Sequence, residues 1–164
     1  MTICHALNAL DRGETVPARD ATGANGRPLG VLGPLFMPRA AGPVENASAV
    51  VVSVTDFTTA RLPDAPGIVR AGLRLRRGWY AMPGAVGLWL WSLPLERRSG
   101  SVSVWTSEED LRRFVALPAH LAIMRRFRKA GTLRSEMWRE ERFVPADTIL
   151  RARHWIADAL PSAP

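Results

Sequence analysis

The sequence predicts an α+β fold of the ferredoxin-like type, in which a four-stranded antiparallel sheet carries two helices on one face. Three features lead to this prediction: four short segments with strand periodicity, two longer amphipathic segments between them, and their order β-α-β-β-α-β. A chain of 164 residues is long enough to bury a normal core within one domain.

The first half of the chain contains two strands and the first helix. β-Branched residues dominate AVVVSVTDF at 49–57, which is expected to form a strand. Leu62 and Pro63 open a helix whose apolar side continues to Leu75. Residues 86–93, VGLWLWSL, are expected to form a strand that is apolar on both faces and is followed by a polar turn.

The second half repeats this pattern of strand and helix. Residues 100–105 alternate in polarity as a half-buried strand does. Thr106 or Ser107 is placed to cap the next helix, which carries three acidic residues in its first turn. Pro118 is expected to kink this helix, and Gly131 is expected to end it.

The ends of the chain lie around this core. Residues 133–138 are expected to return as the fourth strand, and Asp147 is expected to cap a last helix that reaches Leu160. Residues 1–47 are expected to form an irregular Gly- and Pro-rich arm, which leaves 48–164 as the ferredoxin-like domain with its C-terminal helix. An apolar patch in the arm is expected to dock on the domain or across a dimer; it consists of Val31, Leu32, Leu35, Phe36 and Met37.

The strand over 86–93 also predicts a dimer. Trp89 and Trp91 lie on the side of this strand opposite Leu88 and Leu90, so both faces of the sheet carry large apolar groups. Two helices cover only one face. A partner's sheet is the expected cover for the other face, which gives a homodimeric α+β barrel with isologous contacts.

The net charge and the composition of the chain bear on whether nucleic acid is its partner. A net charge of +7 permits nucleic-acid binding. However, Lys129 is the only lysine among 22 basic residues, and the arginines are spread over both helices and the turn. The tryptophans fall within strands rather than in an RNA-binding motif. We therefore do not expect nucleic acid to be the partner.

Cellular location is indicated by features that the sequence lacks. The single cysteine, Cys4, allows no disulfide within the chain. Residues 1–10 have no basic start of the kind that opens a signal peptide. No segment approaches the ~20 apolar residues of a membrane span. A cytoplasmic protein with no membrane partner is expected.

His120 is the candidate from which a catalytic interpretation starts. It shares one helical stripe with Ile123, Met124 and Phe127, so its ring points toward the sheet. Two interpretations stay open: a buried histidine satisfied by a hydrogen bond, and an imidazole that faces a pocket and accepts a proton there. No H-x-x-x-H, C-x-x-C or clustered carboxylate pattern predicts a metal site.

The other candidates are one carboxylate and several tryptophans. Glu136 shares a strand face with Arg134 and Trp138, and it is a proton-transfer group if that face looks into the barrel. The alternative is a structural ion pair with a neighbouring arginine. Four tryptophans are expected to line an apolar substrate pocket, or else to serve as core and dimer interface: Trp89, Trp91, Trp105 and Trp138.

One stretch of the chain, from Ser101 to Phe143, resembles a known family. The residues that carry the resemblance are SVW at 103–105, Phe114, AHLAIMRRFR at 119–128 with His120 and Arg128, and SEMWREERF at 135–143 with Glu136, Arg142 and Phe143. The stretch is similar to the C-terminal half of the spheroidene monooxygenase family and to related antibiotic-biosynthesis-monooxygenase-like proteins.

This resemblance implies a dimeric α+β barrel that oxygenates a hydrophobic or polycyclic molecule. The carotenoid-oxidising members are regarded as haem-dependent, so the resemblance makes His120 a candidate axial ligand, whereas the residues alone indicate no cofactor. Two functional hypotheses follow. The chain is a monooxygenase-like protein that binds or oxidises a hydrophobic small molecule, or it is a non-catalytic small-molecule-binding or stress-related barrel protein.

Overall fold

The computed structural model describes residues 34–44 and 49–158. The described strands are β1 (Leu35–Phe36), β2 (Ala40–Ala41), β3 (Val50–Thr59), β4 (Ala85–Leu93), β5 (Arg98–Trp105) and β6 (Gly131–Glu140). The described helices are α1 (Ala65–Arg77), α2 (Glu108–Val115), α3 (Pro118–Phe127) and α4 (Pro145–Ala157). Most of the predicted arm, including Val31 and Leu32 of its apolar patch, and Leu160 at the predicted end of the last helix lie outside the described residues.

All six strands belong to one antiparallel sheet, whose main order is β1-β4-β5-β3-β6, with β2 also paired to β4. The four long strands follow the predicted chain order β-α-β-β-α-β, so the ferredoxin-like α+β fold is confirmed. The two short strands come from the predicted arm. Leu35 and Phe36 of the apolar patch pair with Ser92 and Trp91, which ties this part of the arm to the sheet.

The second predicted helix differs from the sequence prediction in its middle and at its end. Pro118 does not kink one helix but separates α2 from α3, because Leu117 takes an extended ψ of 135° before it. Gly131 was expected to end this helix, which is wrong: α3 ends at Phe127, and Gly131 is the first residue of β6. At the other end of this region the predicted cap is confirmed, since the Ser107 hydroxyl accepts the Asp110 backbone N–H.

The last helix begins two residues earlier than predicted. Pro145 occupies its first turn and Val144 is its N-cap residue, so Asp147 does not cap the helix. Asp147 instead places its carboxylate within the first turn, near the positive end of the helix dipole.

One face of the sheet packs against α1, α2 and α3. Its buried cluster includes Val51, Leu88 and Trp105 from the strands and Leu111 from α2, with Trp79 fully enclosed beside them. This face is called the cleft face below. It is the face that the two predicted helices of the ferredoxin-like fold were expected to cover.

The opposite face, called the α4 face, packs against the last helix. Val52, Val54 and Val102 are fully buried there together with Ala152 and Ile156 of α4. A partner's sheet was the expected cover for this face, but α4 of the same chain packs on it. The homodimer itself stays a prediction.

A buried ion pair fixes the C-terminal end of α4 to the sheet. Asp56 on β3 and Arg98 on β5 are 3% and 7% exposed and meet at 2.6 Å, with Arg134 of β6 at 3.2 Å from the same carboxylate. Both arginines also donate to carbonyl oxygens near the helix end, Arg98 to Ile156 at 2.7 Å and Arg134 to Trp155 at 2.9 Å. Guanidinium groups thus satisfy carbonyls that a helix end leaves unpaired.

The N-terminal end of α4 is fixed by one carboxylate. Glu140, the last residue of β6, accepts hydrogen bonds from Trp138 Nε1 at 2.8 Å and from the Thr148 hydroxyl at 2.7 Å. Thr148 is fully buried, so its hydroxyl needs such a partner. The helix is therefore anchored by polar contacts at both ends and by apolar packing between them.

Candidate functional site

The cleft face carries hydroxyl groups where the α4 face carries valines. Side chains alternate along each strand, and residues paired across the sheet share a face. On the cleft face, Thr55 pairs with Ser101 and Ser135, and Ser53 pairs with Ser103. These five residues, Ser53, Thr55, Ser101, Ser103 and Ser135, are called the hydroxyl floor.

The hydroxyl floor is open on the helix side. Thr55 and Ser101 are only half-buried although β3 and β5 are interior strands of the sheet. Neighbouring strands enclose these residues on both sides and the α4 face lies behind them, so solvent reaches them from between the sheet and the helices. The helices therefore leave part of this surface uncovered, and this uncovered part, between the hydroxyl floor and helices α1 and α3, is called the cleft below.

The low burial of the two helices over the hydroxyl floor, α1 and α3, is consistent with this opening. Neither α1 nor α3 contains a buried residue, whereas α4 buries Thr148, Ala152 and Ile156. α1 approaches the sheet at Gly72, where a Cβ would lie 3.6 Å from Leu90, and it approaches α3 at Gly67, where a Cβ would lie 3.4 Å from Phe127. Two contacts thus bound the cleft: that of α1 with β4 and that of α1 with α3.

The floor hydroxyls are partly engaged with one another. The Thr55 and Ser101 hydroxyls are 2.9 Å apart, and Thr55 Oγ1 accepts the Ser101 backbone N–H at 3.1 Å. Ser103 Oγ accepts the Trp105 indole N–H at 3.0 Å and donates to the Ser53 carbonyl at 3.3 Å. A hydroxyl offers one donor and two acceptor positions. The half-buried hydroxyls of Thr55 and Ser101 can therefore still form a hydrogen bond with an oxygen atom of a ligand.

His120 lies in the first turn of α3, on the cleft side of the sheet. Its ring packs against Phe114 with the ring centroids 4.8 Å apart. Phe114 in turn contacts Trp105 at 5.0 Å and Trp79 at 5.8 Å, and the two indoles meet edge to face at 4.7 Å. This aromatic cluster closes one end of the cleft face and holds the imidazole against apolar surface.

The hydrogen bond of His120 defines which nitrogen carries the proton. Nδ1 lies 3.2 Å from the Val115 carbonyl oxygen, and a carbonyl only accepts, so Nδ1 is the protonated nitrogen. Burial lowers the pKa of His120, while the bond to Val115 opposes this change without cancelling it. At neutral pH the ring is therefore uncharged, and Nε2 carries the lone pair.

A capping network holds α2, and with it the aromatic cluster, against the sheet. The hydroxyls of Ser107 and Thr106 each donate to the Asp110 carboxylate at 2.6 Å, and these two bonds lower the pKa of Asp110. Gly84 lies beside this carboxylate with a φ of +70°, and a Cβ there would come within 2.6 Å of the Asp110 Cβ. Only glycine fits this position, so the start of β4 and the start of α2 are locked together.

The structure separates the two predicted catalytic residues. Glu136 pairs with Val54, which belongs to the α4 face, and its side chain is exposed at the outer strand. His120 lies on the cleft side. The sheet stands between the two groups, so His120 and Glu136 do not form an acid–base pair.

The four predicted substrate-binding tryptophans are also divided. Trp89, Trp91 and Trp138 belong to the core of the α4 face, and Trp105 belongs to the core of the cleft face. Their exposed fractions are 7%, 3%, 7% and 0%, respectively, which are values of core residues. Only Trp105 lies on the same side as His120, and it supports the site through Phe114.

Residues 34–44 and 49–158 contain neither a metal-ligand cluster nor a membrane-spanning helix. In this part of the chain no three His, Cys, Asp or Glu side chains lie close enough together to hold a metal ion. Nor does any helix of these residues have the length and apolar content needed to cross a membrane.

The hydroxyl floor has a recognisable pattern in the sequence, although none of its residues is among the predicted site residues. Hydroxyl residues recur at every second position, as Ser53 and Thr55 in β3 and as Ser99, Ser101 and Ser103 in β5. In interior strands such a series places polar groups on a face where valine would ordinarily pack. This pattern, more than any single titratable residue, indicates a polar surface inside the fold.

Comparison with known proteins supports the fold. No family model matches the chain, and no curated protein matches it. Among solved structures, a ferredoxin-fold protein from Listeria monocytogenes 4b F2365, described as related to antibiotic biosynthesis monooxygenases, superposes with a TM-score of 0.53 at 14% identity. This match covers 85% of the present chain and 89% of the Listeria protein.

Two other structures are similar over the central part of the chain. A Shewanella oneidensis protein gives a TM-score of 0.51 at 14% identity, covering 58% of this chain and 95% of its own. A protein proposed to be a monooxygenase, from Lactobacillus acidophilus NCFM, gives 0.50 at 11% identity and covers 58% of this chain. The present chain spans only 47% of the Lactobacillus protein. At such identities the matches show a shared fold, so the resemblance to antibiotic-biosynthesis-monooxygenase-like proteins is confirmed at that level.

Proposed function

We propose that this chain is a monooxygenase-like protein that binds a hydrophobic small molecule in the cleft between the hydroxyl floor and helices α1 and α3, and oxidises it there. The observation that carries the proposal is the half-buried state of Thr55 and Ser101 in interior strands. A stable core leaves no such opening over polar groups, whereas a ligand site combines apolar walls with a few placed polar groups.

His120 supplies the chemistry that this proposal needs. The lone pair of Nε2 can take a proton from a substrate hydroxyl, because the ring is uncharged and Nδ1 already donates to Val115. The hydroxyl floor orients oxygen atoms of the same molecule. The apolar stripe of α3 binds its hydrophobic part through Ile123, Met124 and Phe127.

Haem enters the proposal through the family resemblance, and the donor chemistry of His120 is compatible with it. Histidine ligands of metals commonly donate their second ring N–H to a carbonyl oxygen, as Nδ1 of His120 does to Val115. With haem bound, His120 would hold the iron through Nε2, and this nitrogen would then not take a proton from the substrate. A bound haem would supply the activation of oxygen, and the chain's part would be to hold the ring orientation and to orient the substrate.

A second candidate function is a non-catalytic small-molecule-binding or stress-related barrel protein. The separation of His120 from Glu136 favours it, because the sequence-based enzyme hypothesis used both residues. Binding in the same cleft is common to both candidates, so they differ only in whether the bound molecule is changed.

A homodimer and a cytoplasmic location belong to the same proposal. Both rest on sequence arguments, and α4 already covers the face that suggested the dimer. Light scattering after gel filtration measures the assembly directly. A monomer at micromolar concentration would contradict this part of the proposal without affecting the cleft.

The cleft is tested by binding two probes, haemin and the fluorescent dye 1-anilinonaphthalene-8-sulfonate. Thr55→Leu places a larger apolar side chain on the hydroxyl floor, and Thr132→Leu makes the same change at an exposed position of β6. We expect Thr55→Leu to weaken binding at least about tenfold and Thr132→Leu to leave it unchanged, since about 1.4 kcal/mol suffices for tenfold. Equal binding by the two variants would contradict the proposal.

The variant His120→Ala distinguishes a functional role of the imidazole, such as haem ligation, from a purely structural one. We expect this variant to lose the absorption band of histidine-ligated haem while remaining folded by circular dichroism. A variant that unfolds, or one that keeps the same haem spectrum, would contradict a functional role for His120. Recovery of a bound molecule unchanged under oxygen and reductant would favour the non-catalytic candidate.

A further inference from the structure

The break between α2 and α3 presents a backbone carbonyl to His120. α2 ends at Val115 and α3 begins at Pro118, so two residues separate the helices. The Val115 oxygen lies 3.2 Å from His120 Nδ1. In an uninterrupted helix this oxygen would accept a backbone N–H from the next turn and would not be available to a side chain.

Pro118 accounts for the availability of this oxygen. The donor three residues beyond Val115 would be residue 118, which as proline has no N–H. The donor four residues beyond would be Ala119, but the ψ of 135° at Leu117 carries the chain out of the helical path first. The surrounding bonds are ordinary ones: Ala116 N–H donates to Arg112, and Leu117 N–H donates to Phe114.

We propose that Pro118 is a positioning residue, which frees the Val115 carbonyl so that it holds His120 as the Nδ1–H tautomer and leaves Nε2 as the nitrogen that meets the ligand. The identity of the ligand rests on the proposed function, whereas the tautomer rests on the geometry of the break alone. The opposite tautomer would set the lone pair of Nδ1 against the oxygen of Val115. That arrangement would leave two acceptors facing each other without a proton.

Phe114 restricts the ring in a second way. Phe114 belongs to α2, as Val115 does. The ring centroids of Phe114 and His120 are 4.8 Å apart, and the two ring planes are tilted by 56°. The imidazole is therefore fixed by a hydrogen bond at one atom and by packing on one face. A ring held at both points presents the same nitrogen to the cleft each time.

The test is the ¹⁵N spectrum of the full chain labelled at histidine, recorded at neutral pH through the two-bond couplings of the ring. The protein has three histidines, and His120→Gln assigns the signals of His120. In the unsubstituted protein we expect a protonated Nδ1 and an unprotonated Nε2. A protonated Nε2, or a charged ring, would overturn the proposal before any variant of Pro118 is made.

Pro118→Ala restores the missing N–H and relaxes the constraint on Leu117. We expect the single tautomer of His120 to become a measurable mixture. The matched control is Pro145→Ala, which removes the first-turn proline of α4 and should leave the His120 signals in place. Leu117→Gly loosens the break without changing Pro118 and is the second test variant in case Pro118→Ala does not fold. An unchanged tautomer in a folded variant would overturn the positioning role.

The outcome is independent of the cleft. If the probes fail to bind but His120 has the expected tautomer, the proposed function fails and the positioning role of Pro118 stands. If the probes bind in the cleft and the tautomer is the opposite one, the cleft stands as a binding site, while the positioning role of Pro118 and the role given to Nε2 both fail.

Discussion

The two faces of the sheet belong to the same strands but differ in how completely they are closed. Behind β3 and β5, the α4 face buries Val52, Val54 and Val102 fully. On the cleft face the intervening residues, Thr55 and Ser101, carry hydroxyls and remain half-buried. The α4 face is thus the more completely closed of the two, whereas the proposed ligand site lies on the cleft face, and variants on the two faces should behave differently.

The largest effect on stability is expected from the buried ion pair of the α4 face. Asp56→Ala removes the carboxylate that Arg98 and Arg134 share, and it leaves the guanidinium of Arg98 buried. We expect the free energy of unfolding to fall by about 3–5 kcal/mol, the usual cost of breaking a buried pair. Urea denaturation measures this loss.

The control for this variant is an exposed ion pair. Glu109 and Arg113 pair one turn apart on α2, with both side chains more than 60% exposed. Glu109→Ala should change the free energy of unfolding by less than about 0.5 kcal/mol. Similar losses in the two variants would mean that the Asp56 cluster is not a buried anchor.

The second-largest loss of stability is expected from a change in the apolar packing of the α4 face. Ile156 of α4 is fully buried, whereas Leu150 of the same helix is 54% exposed. Ile156→Ala should lower the free energy of unfolding by about 3 kcal/mol, because it removes buried methyl groups and leaves a cavity. Leu150→Ala should lower it by less than about 0.5 kcal/mol. If both variants were equally mild, α4 would not be packed on the sheet.

A smaller effect on stability is expected from the cleft face. Thr55→Val removes one hydroxyl at nearly constant volume and breaks the contact with Ser101. The expected cost is about 1 kcal/mol or less, because the remaining hydroxyl of Ser101 can still reach solvent. A loss as large as that of Asp56→Ala would show that the floor is ordinary core.

The smallest effect is a dependence on pH. Burial lowers the pKa of His120 in the folded state, so the unfolded chain binds its proton more readily. The stability that this group contributes is complete above the ordinary histidine pKa and is lost as the pH falls through the lowered value. Between about pH 7 and about pH 5, the unsubstituted protein should therefore lose more stability than His120→Gln. An equal loss in both proteins would contradict burial of the ring.

Much of the fold follows from local patterns in the sequence. The β-branched run at 49–57, the period of two in 100–105 and the capping residue Ser107 indicate strands and a helix start directly, because these features depend on neighbouring residues only. The placement of α4 does not follow in this way. An amphipathic helix shows which of its side chains are buried, but it does not show which face of the sheet receives them.

The candidate site was harder to predict for the same reason. Alternation correctly places Glu136 and Trp138 on one strand face. Whether that face also meets His120 depends on which side of the sheet α3 packs, and local sequence patterns do not determine this side. The two candidate catalytic residues, His120 and Glu136, therefore lie on opposite sides of the sheet, while the alternation of hydroxyl residues within single strands already indicates the hydroxyl floor.

The measurement that tests the difference between the two faces most directly is hydrogen–deuterium exchange of the whole protein with and without saturating 1-anilinonaphthalene-8-sulfonate. A ligand bound on the cleft face should add protection in peptides from α1 (Ala65–Arg77) and α3 (Pro118–Phe127) and leave exchange in α4 (Pro145–Ala157) unchanged. Added protection in α4 with none in α1 and α3 would mean that the ligand binds on the other face, against the proposed site.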